Sequence, residues 1–299
     1  MTATALERPS SAPAGAATAP EVAPAPPGGP ARRRLAAVAW SVTLAAVLLL
    51  GFVGYLFALS GLQEARHQST AYATLRDQLG KATAPTGPTT DGAPLAVLDI
   101  PALGLHQAVV VEGTGGRDLM RGPGHRRDTV LPGQPGVAVL FGRSTAFGAP
   151  FAGLAGLRDG DGIDVTTGQG SFHYTVNTSG DGDHPITDTA PNRLVLVTGD
   201  SDWIPTNTVL IGARLDGDPQ PLGARRPAAA PTDKALAADK GALSALQLCS
   251  LALLLAVVGA GVAARHWRRG ASYLCFAPVV AALLWAVYEN AAALLPNVY

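Results

Sequence analysis

The sequence predicts a mainly β domain, a barrel or sandwich, tied to three transmembrane helices. Three observations carry this. Residues 93–217 break into short apolar runs separated by Gly- and Pro-containing turns with little helical periodicity. Three long stretches elsewhere are apolar and almost free of charge. Arginine clusters flank those stretches on one side only.

In chain order, residues 1–34 begin with an Ala/Pro-rich text holding almost no large apolar residue. Such a segment cannot bury enough surface to offset the entropy of ordering, so a disordered cytoplasmic tail is expected. Residues 35–59 (LAAVAWSVTLAAVLLLGFVGYLFAL) carry no charge, and as a helix they would extend about 37 Å, enough to span a bilayer with tilt. Arg32, Arg33 and Arg34 precede this run directly, which places the N-terminus in the cytoplasm. A cleaved signal peptide would have a shorter apolar run and a shorter leader. Residues 60–92 read as a polar helix followed by the loop TAPTGPTTDGAP, a linker by its Pro and Gly content.

The β domain then supplies PLAVLDIPAL, HQAVVVEG, GVAVLFG, DGIDVTTG, SFHYTVNTSG, RLVLVTG and TVLIGARL. Residues 218–241 are again Pro-, Ala- and Gly-rich and are expected to link the domain to the second span, 242–264. The basic loop 265–270 contains Arg265, Arg268 and Arg269 and belongs in the cytoplasm. The third span, 271–295, is apolar apart from Glu289 and Asn290. The two arginine clusters give the same topology, a multi-pass cell-membrane protein with the β domain and Tyr299 on the extracytoplasmic side.

Charge excludes one class of partner. The 22 Lys and Arg are balanced by 22 Asp and Glu and form no long basic stripe, so no nucleic acid is expected. Cys249 and Cys275 fall inside the second and third apolar runs, where a thiol behaves as a small hydrophobe. The β domain contains no cysteine.

The β domain's text resembles the sortase family, and within it the class E type of actinobacteria. GPGH at 122–125, LPGQPG at 131–136 and GAPF at 148–151 occur in the family's order and spacing, and the likeness runs from Leu98 to Leu215. It implies an eight-stranded barrel at the cell envelope. It also implies descent from cysteine transpeptidases that cut a sorting signal and join it to a cell-wall amine. The positions matching the family's catalytic His, Cys and Arg are Arg143, Gly199 and Thr208. A thioacyl mechanism needs a sulfur nucleophile, a proton donor and a cation for the oxyanion. Glycine has no side chain, and arginine does not cycle a proton near neutral pH.

The expectation is therefore a pseudoenzyme, a binding or scaffold module with no catalytic residue, no cofactor and no metal. Its relic groove would be formed by Arg143, Ser144, Thr198, Asp200 and Asp202. Two alternatives stand beside it: a transpeptidase or hydrolase with rewired residues, and a structural subunit of a transporter-like membrane complex. Ligands would be a wall peptide or glycan, and a membrane-protein partner would dock through the helices.

Other candidate residues read as structural. Arg214 lies six residues beyond Thr208, about 20 Å along a strand. His125 belongs to the GPGH turn, and His173 and His184 stand alone. Ser144, Thr198 and Ser201 lack a neighbouring base in the pattern. Asp159, Asp161 and Asp164 in RDGDGIDV fit a Gly-rich turn better than calcium. Glu289 is an ionisable group inside a span, and it either reaches the interface by tilt or faces a partner. An arginine enclosed in a groove requires a partner, so Arg143 is expected to pair with Asp200 or Asp202.

Overall fold

Alternating and fully apolar runs between turns build eight strands in the computed structural model, which describes residues 30–200, 204–224, 227–228, 230–266 and 269–299. The expected tail before Pro30, and Ser201, Asp202 and Arg268, lie outside the described residues. The chain divides into two units, residues 1–48 and 49–299. Within the first, α1 starts at Pro30 (Pro30–Gly54), so the helix begins before the uncharged run, with Arg32 and Arg34 exposed on its first turns.

The strands are β1 (Pro94–Ile100), β2 (Leu105–Glu112), β3 (Gly124–His125), β4 (Val137–Phe141), β5 (Gly162–Thr167), β6 (Gly170–Asp181), β7 (Arg193–Gly199) and β8 (Thr208–Asp216). They close into a barrel in the order β1-β2-β3-β4-β7-β8-β6-β5. Seven correspond to the apolar runs of the sequence. The eighth, β3, is only two residues long and comes from the GPGH segment, which therefore bridges β2 and β4 in addition to turning. Its apolar signal is too short to register as a strand.

Inward residues such as Leu98, Val110, Leu140, Ile163, Tyr174, Leu196 and Ile211 fill the barrel. Tyr174 Oη accepts from the Gly133 N–H at 2.7 Å, and burial pushes its phenol up to about 12. β4 and β7 run parallel, Val139 beside Val195 and Phe141 beside Val197. Both are apolar on their two faces, the pattern of strands covered on both sides. Their outward residues Phe141, Val195 and Val197 form a second small core with Leu119 and Val298.

The helices are α1, α2 (Ser60–Gly80), α3 (Ala242–His266) and α4 (Arg269–Ala292). Three helical segments, Arg34–Gly80, Ala242–His266 and Leu274–Ala292, are long and apolar enough to cross a membrane. The polar helix at 60 is not separate from the first span. A π-helical turn at Tyr55–Leu59 joins α1 to α2 without a break, because nothing between Gly54 and Ser60 stops a helix. From Leu49 onward this helix packs on α4, with the Tyr55 ring 5.2 Å from Trp285 and 5.9 Å from Tyr288.

α2 also anchors the barrel. Gln68 donates to the carbonyls of Val109 (3.0 Å) and Arg121 (2.7 Å) and accepts from the Val109 N–H (2.7 Å).

Residues 218–241 are a second departure from expectation. Several of the described residues lie against the barrel as well as linking it to α3. The Gln220 N–H donates to Gly133 O. Asp233 is buried, with Arg127 Nε 2.8 Å from Oδ2 and Arg127 Nη2 3.1 Å from Oδ1. Ala235 and Leu236 pack on the outward face of β4 and β7. One carboxylate and two apolar side chains thus help dock a Pro/Ala-rich stretch that composition alone marks as loose.

Candidate functional site

The parallel pair β4 and β7 ends with Phe141 beside Val197, so the two chains leave the barrel at one place. Gly142 N–H donates to Val197 O at 3.0 Å, and Thr198 Oγ1 donates to Gly142 O at 2.8 Å. Gly199 pairs with Thr208 at the start of β8. Arg143, Ser144, Thr198, Gly199 and Thr208 thus converge at one end of the barrel, as the motif positions imply.

Arg143 is fully buried. Its Nε donates to Leu119 O at 3.2 Å and its Nη2 to Gly116 O at 2.9 Å. The guanidinium carbon stands 4.8 Å over the Phe147 ring, a cation–π arrangement. Burial pushes its pKa down to about 10, against the opposing pull of the Tyr55 and Tyr299 phenols, so it remains a cation at neutral pH.

The expected pairing with a carboxylate does not form at Asp200. That carboxylate accepts instead from the Thr206 N–H (3.0 Å) and Asn207 N–H (3.1 Å), closing the β7–β8 turn. Main-chain carbonyls and an aromatic face surround the charge, a route that side-chain inventory does not reveal.

The loop after Arg143 is held in an uncommon conformation. Phe147 and Ala149 have φ of 54° and 43°, in the left-handed region that bulky residues avoid. Contacts fix it there: the Phe147 N–H donates to Ser60 Oγ at 3.0 Å, and Tyr55 meets the Phe147 ring edge-on at 6.2 Å. Between them Gly148 has φ 74°, and a Cβ there would come 2.6 Å from Glu64 Oε2.

No sequence pattern marked the remaining participant, the C-terminal segment after α4. The N–H and Oγ of Ser144 both donate to Val298 O, at 3.1 and 3.2 Å. Asn297 Nδ2 donates to Thr114 O (2.8 Å) and Lys234 O (2.9 Å), and its N–H to Ala237 O (2.9 Å). A Cβ placed on Gly199 would lie 2.7 Å from Pro205 Cβ and 3.2 Å from Val298 O. The space a side chain at 199 would need is already filled.

Chemically the site can hold a carbonyl and stabilise a buried cation. Ser144 Oγ bonds to Val298 O and to Thr145 Oγ1 (3.3 Å), and Thr198 Oγ1 to a carbonyl. Among the described residues, neither hydroxyl has an imidazole or carboxylate partner. Cys249 and Cys275 stand in α3 and α4.

The other candidates are dispersed. His125 is buried, Nε2 donating to Val130 O (2.9 Å) and Nδ1 facing Glu112 Oε1 (3.1 Å). His173 and His184 are exposed beside Asp164 (2.7 Å) and Asp181 (3.2 Å). Asp161 accepts from the Arg158 N–H at 2.8 Å, closing its turn. Asp159 is exposed, and Arg214 pairs across to Arg193 at the opposite end of β8 from Thr208. Glu289 Oε1 accepts from Gln63 Nε2 at 3.4 Å, a partner within this chain.

Residues 98–214 match the family described as "Sortase domain". Among solved structures, sortase E from Streptomyces avermitilis is 32% identical, covering 43% of this chain and 91% of its own, at a TM-score of 0.37. A sortase D5 transpeptidase from Clostridium perfringens is 21% identical over 51% of this chain and 99% of its own (TM-score 0.44). SrtF sortase from Corynebacterium diphtheriae is 23% identical over 44% and 90% (TM-score 0.40). Among curated proteins no sequence matches. The domain match agrees with the closed eight-stranded barrel, and by it residues 98–214 of the chain are a domain of the sortase family.

Proposed function

We propose that the chain is a membrane-anchored, class E-like sortase-fold pseudoenzyme of the actinobacterial type, a binding or scaffold module of the cell envelope. The observation that carries this reading is the packing at Gly199. The position matching the family's nucleophile has no side chain, and Pro205 and Val298 occupy the room one would take. Arg143, at the position matching the proton donor, is engaged with two carbonyls and stays protonated. Neither residue can serve thioacyl chemistry.

The helices support a three-span, multi-pass arrangement with the barrel outside. α2 and the segment after α4 both touch the barrel, and Arg265 lies at the far end of α3. Its ligand would be a wall peptide or glycan, and the helices offer a surface to a membrane partner. The test is a turnover assay on the purified full chain with sorting-signal peptides and hydroxylamine. No cleavage and no hydroxamate above background is expected. Turnover that persists after contaminating proteases are removed would overturn the reading in favour of a rewired enzyme.

A further inference from the structure

The facing stripes of α3 and α4 do not close on each other along their whole length. Val257, Gly261 and Ala264 recur at helical spacing on α3, and Ser272, Phe276 and Val280 on α4, and together they line a cleft of about 280 Å³. Residue size explains the gap. A Cβ at Gly259 would already stand 3.4 Å from the Phe276 ring, whereas one at Gly261 would meet nothing within 4 Å. The helices therefore touch at Gly259 and stand apart at Gly261. An apolar cleft left empty forfeits the dispersion contacts of its lining, so a hydrocarbon chain fits it.

One polar atom faces this cleft. Ser272 is 2% exposed, and among the described residues its hydroxyl has no hydrogen-bond partner. In α1 the comparable groups are satisfied within the helix, Ser41 and Thr43 each donating at 2.9 Å to the carbonyl four residues earlier. A buried hydroxyl left unpaired is costly, and it points to an acceptor brought by a ligand. The charge beside it is positive. Arg265 follows Ala264 directly, Arg265 and His266 are exposed in the last turn of α3, and Arg269 opens α4. No Asp or Glu occurs between Asp239 and Glu289, so neither helix neutralises that charge near the cleft.

We propose that the cleft between α3 and α4 binds one anionic phospholipid. Its acyl chain lies along Gly261 and Phe276, an ester or phosphate oxygen accepts from the Ser272 hydroxyl, and its headgroup charge sits beside Arg265 at the junction of the two helices. A basic pocket between spans is a recurrent way of holding such headgroups. In the three-span arrangement the site opens to the inner leaflet, at the opposite end of the helices from the barrel. It rests on the reading of α3 and α4 as spans and is independent of whether the barrel catalyses anything.

The test uses the full chain in detergent micelles, titrated with dioleoylphosphatidylglycerol or dioleoylphosphatidylcholine, with retained lipid counted by native mass spectrometry. One phosphatidylglycerol should be held per chain, about tenfold more tightly than phosphatidylcholine. Arg265→Gln and Ser272→Ala should each weaken phosphatidylglycerol about fivefold. Gly261→Leu, which fills the cleft, should weaken both lipids about tenfold. Equal retention of the two lipids, or a phosphatidylglycerol affinity that none of the three variants changes, would overturn the proposal. So would a dimer in lipid-free micelles that Gly261→Leu abolishes, since the cleft would then belong to a second helix.

A second measurement separates binding from folding. In lipid-free micelles Ser272→Ala should leave the thermal midpoint unchanged or higher, because it removes an unpaired buried hydroxyl. It should nonetheless shrink the rise in midpoint that phosphatidylglycerol gives the unmodified chain. A midpoint lowered equally with and without the lipid would assign the hydroxyl to folding alone and overturn the proposal. Labelling of residues 265–270 from outside the cell would reverse the three-span topology and leave these affinities unchanged, so the two failures are distinguishable.

Discussion

Arg143 concentrates the residue-scale physics of this site. A buried guanidinium without compensation would be expensive, and here the compensation is two carbonyls, a ring face and two nearby phenols. Arg143→Ala should destabilise the full chain by about 3 kcal/mol, combining two lost charge-assisted bonds with the cavity left behind. Thermal unfolding in micelles reads this directly. An unchanged midpoint would mean that water or neighbouring groups take over both carbonyls. By its resemblance alone, the sequence aligned Arg143 with a position where a histidine is expected. It could not show the partners, because backbone carbonyls are invisible to any inventory of side chains.

At the scale of elements, the loop between β2 and β3 deserves its own titration. It supplies the carbonyls of Gly116 and Leu119 and also carries Asp118. Burial, reinforced by Asp91, pushes the Asp118 carboxyl up to about 6. A folded-state value above the unfolded one means the folded chain holds a proton that the unfolded chain has lost. Stability should then fall as pH rises from about 4 to about 6, and level off above. Asp118→Asn should abolish that slope and raise the melting midpoint at pH 7, while leaving it nearly unchanged at pH 4.

The strands β4 and β7 show how much an element discloses. Their two-sided apolar text, VAVLF and RLVLVTG, states that something covers the outer face. It does not say what, since the cover comes from Leu119, from Ala235 and Leu236, and from Val298, far apart in the chain. The docked stretch 218–241 was hidden for a similar reason. A buried ion pair there, Asp233 with Arg127, joins residues 106 positions apart.

Across the whole molecule, the proposed topology with the barrel outside rests on the two arginine clusters and is open to a direct test. Single cysteines introduced in 93–215 should label in intact cells with an impermeant maleimide, and cysteines in 265–270 should not. Labelling of 265–270 from outside would reverse the topology.

The sequence by itself determined three long apolar helical segments and a β domain, the positions of seven of the strands, and the identity of residues 143, 199 and 208. Each of these depends on local composition or on motif spacing, both written along the chain. Only the tertiary structure decided that the barrel closes through the two-residue strand Gly124–His125, that α1 and α2 are one helix, and that carbonyls hold Arg143. It alone placed Val298 over β7 and against Gly199. These depend on contacts between residues far apart in the chain, whose energies arise only when closure brings backbone groups and apolar faces together.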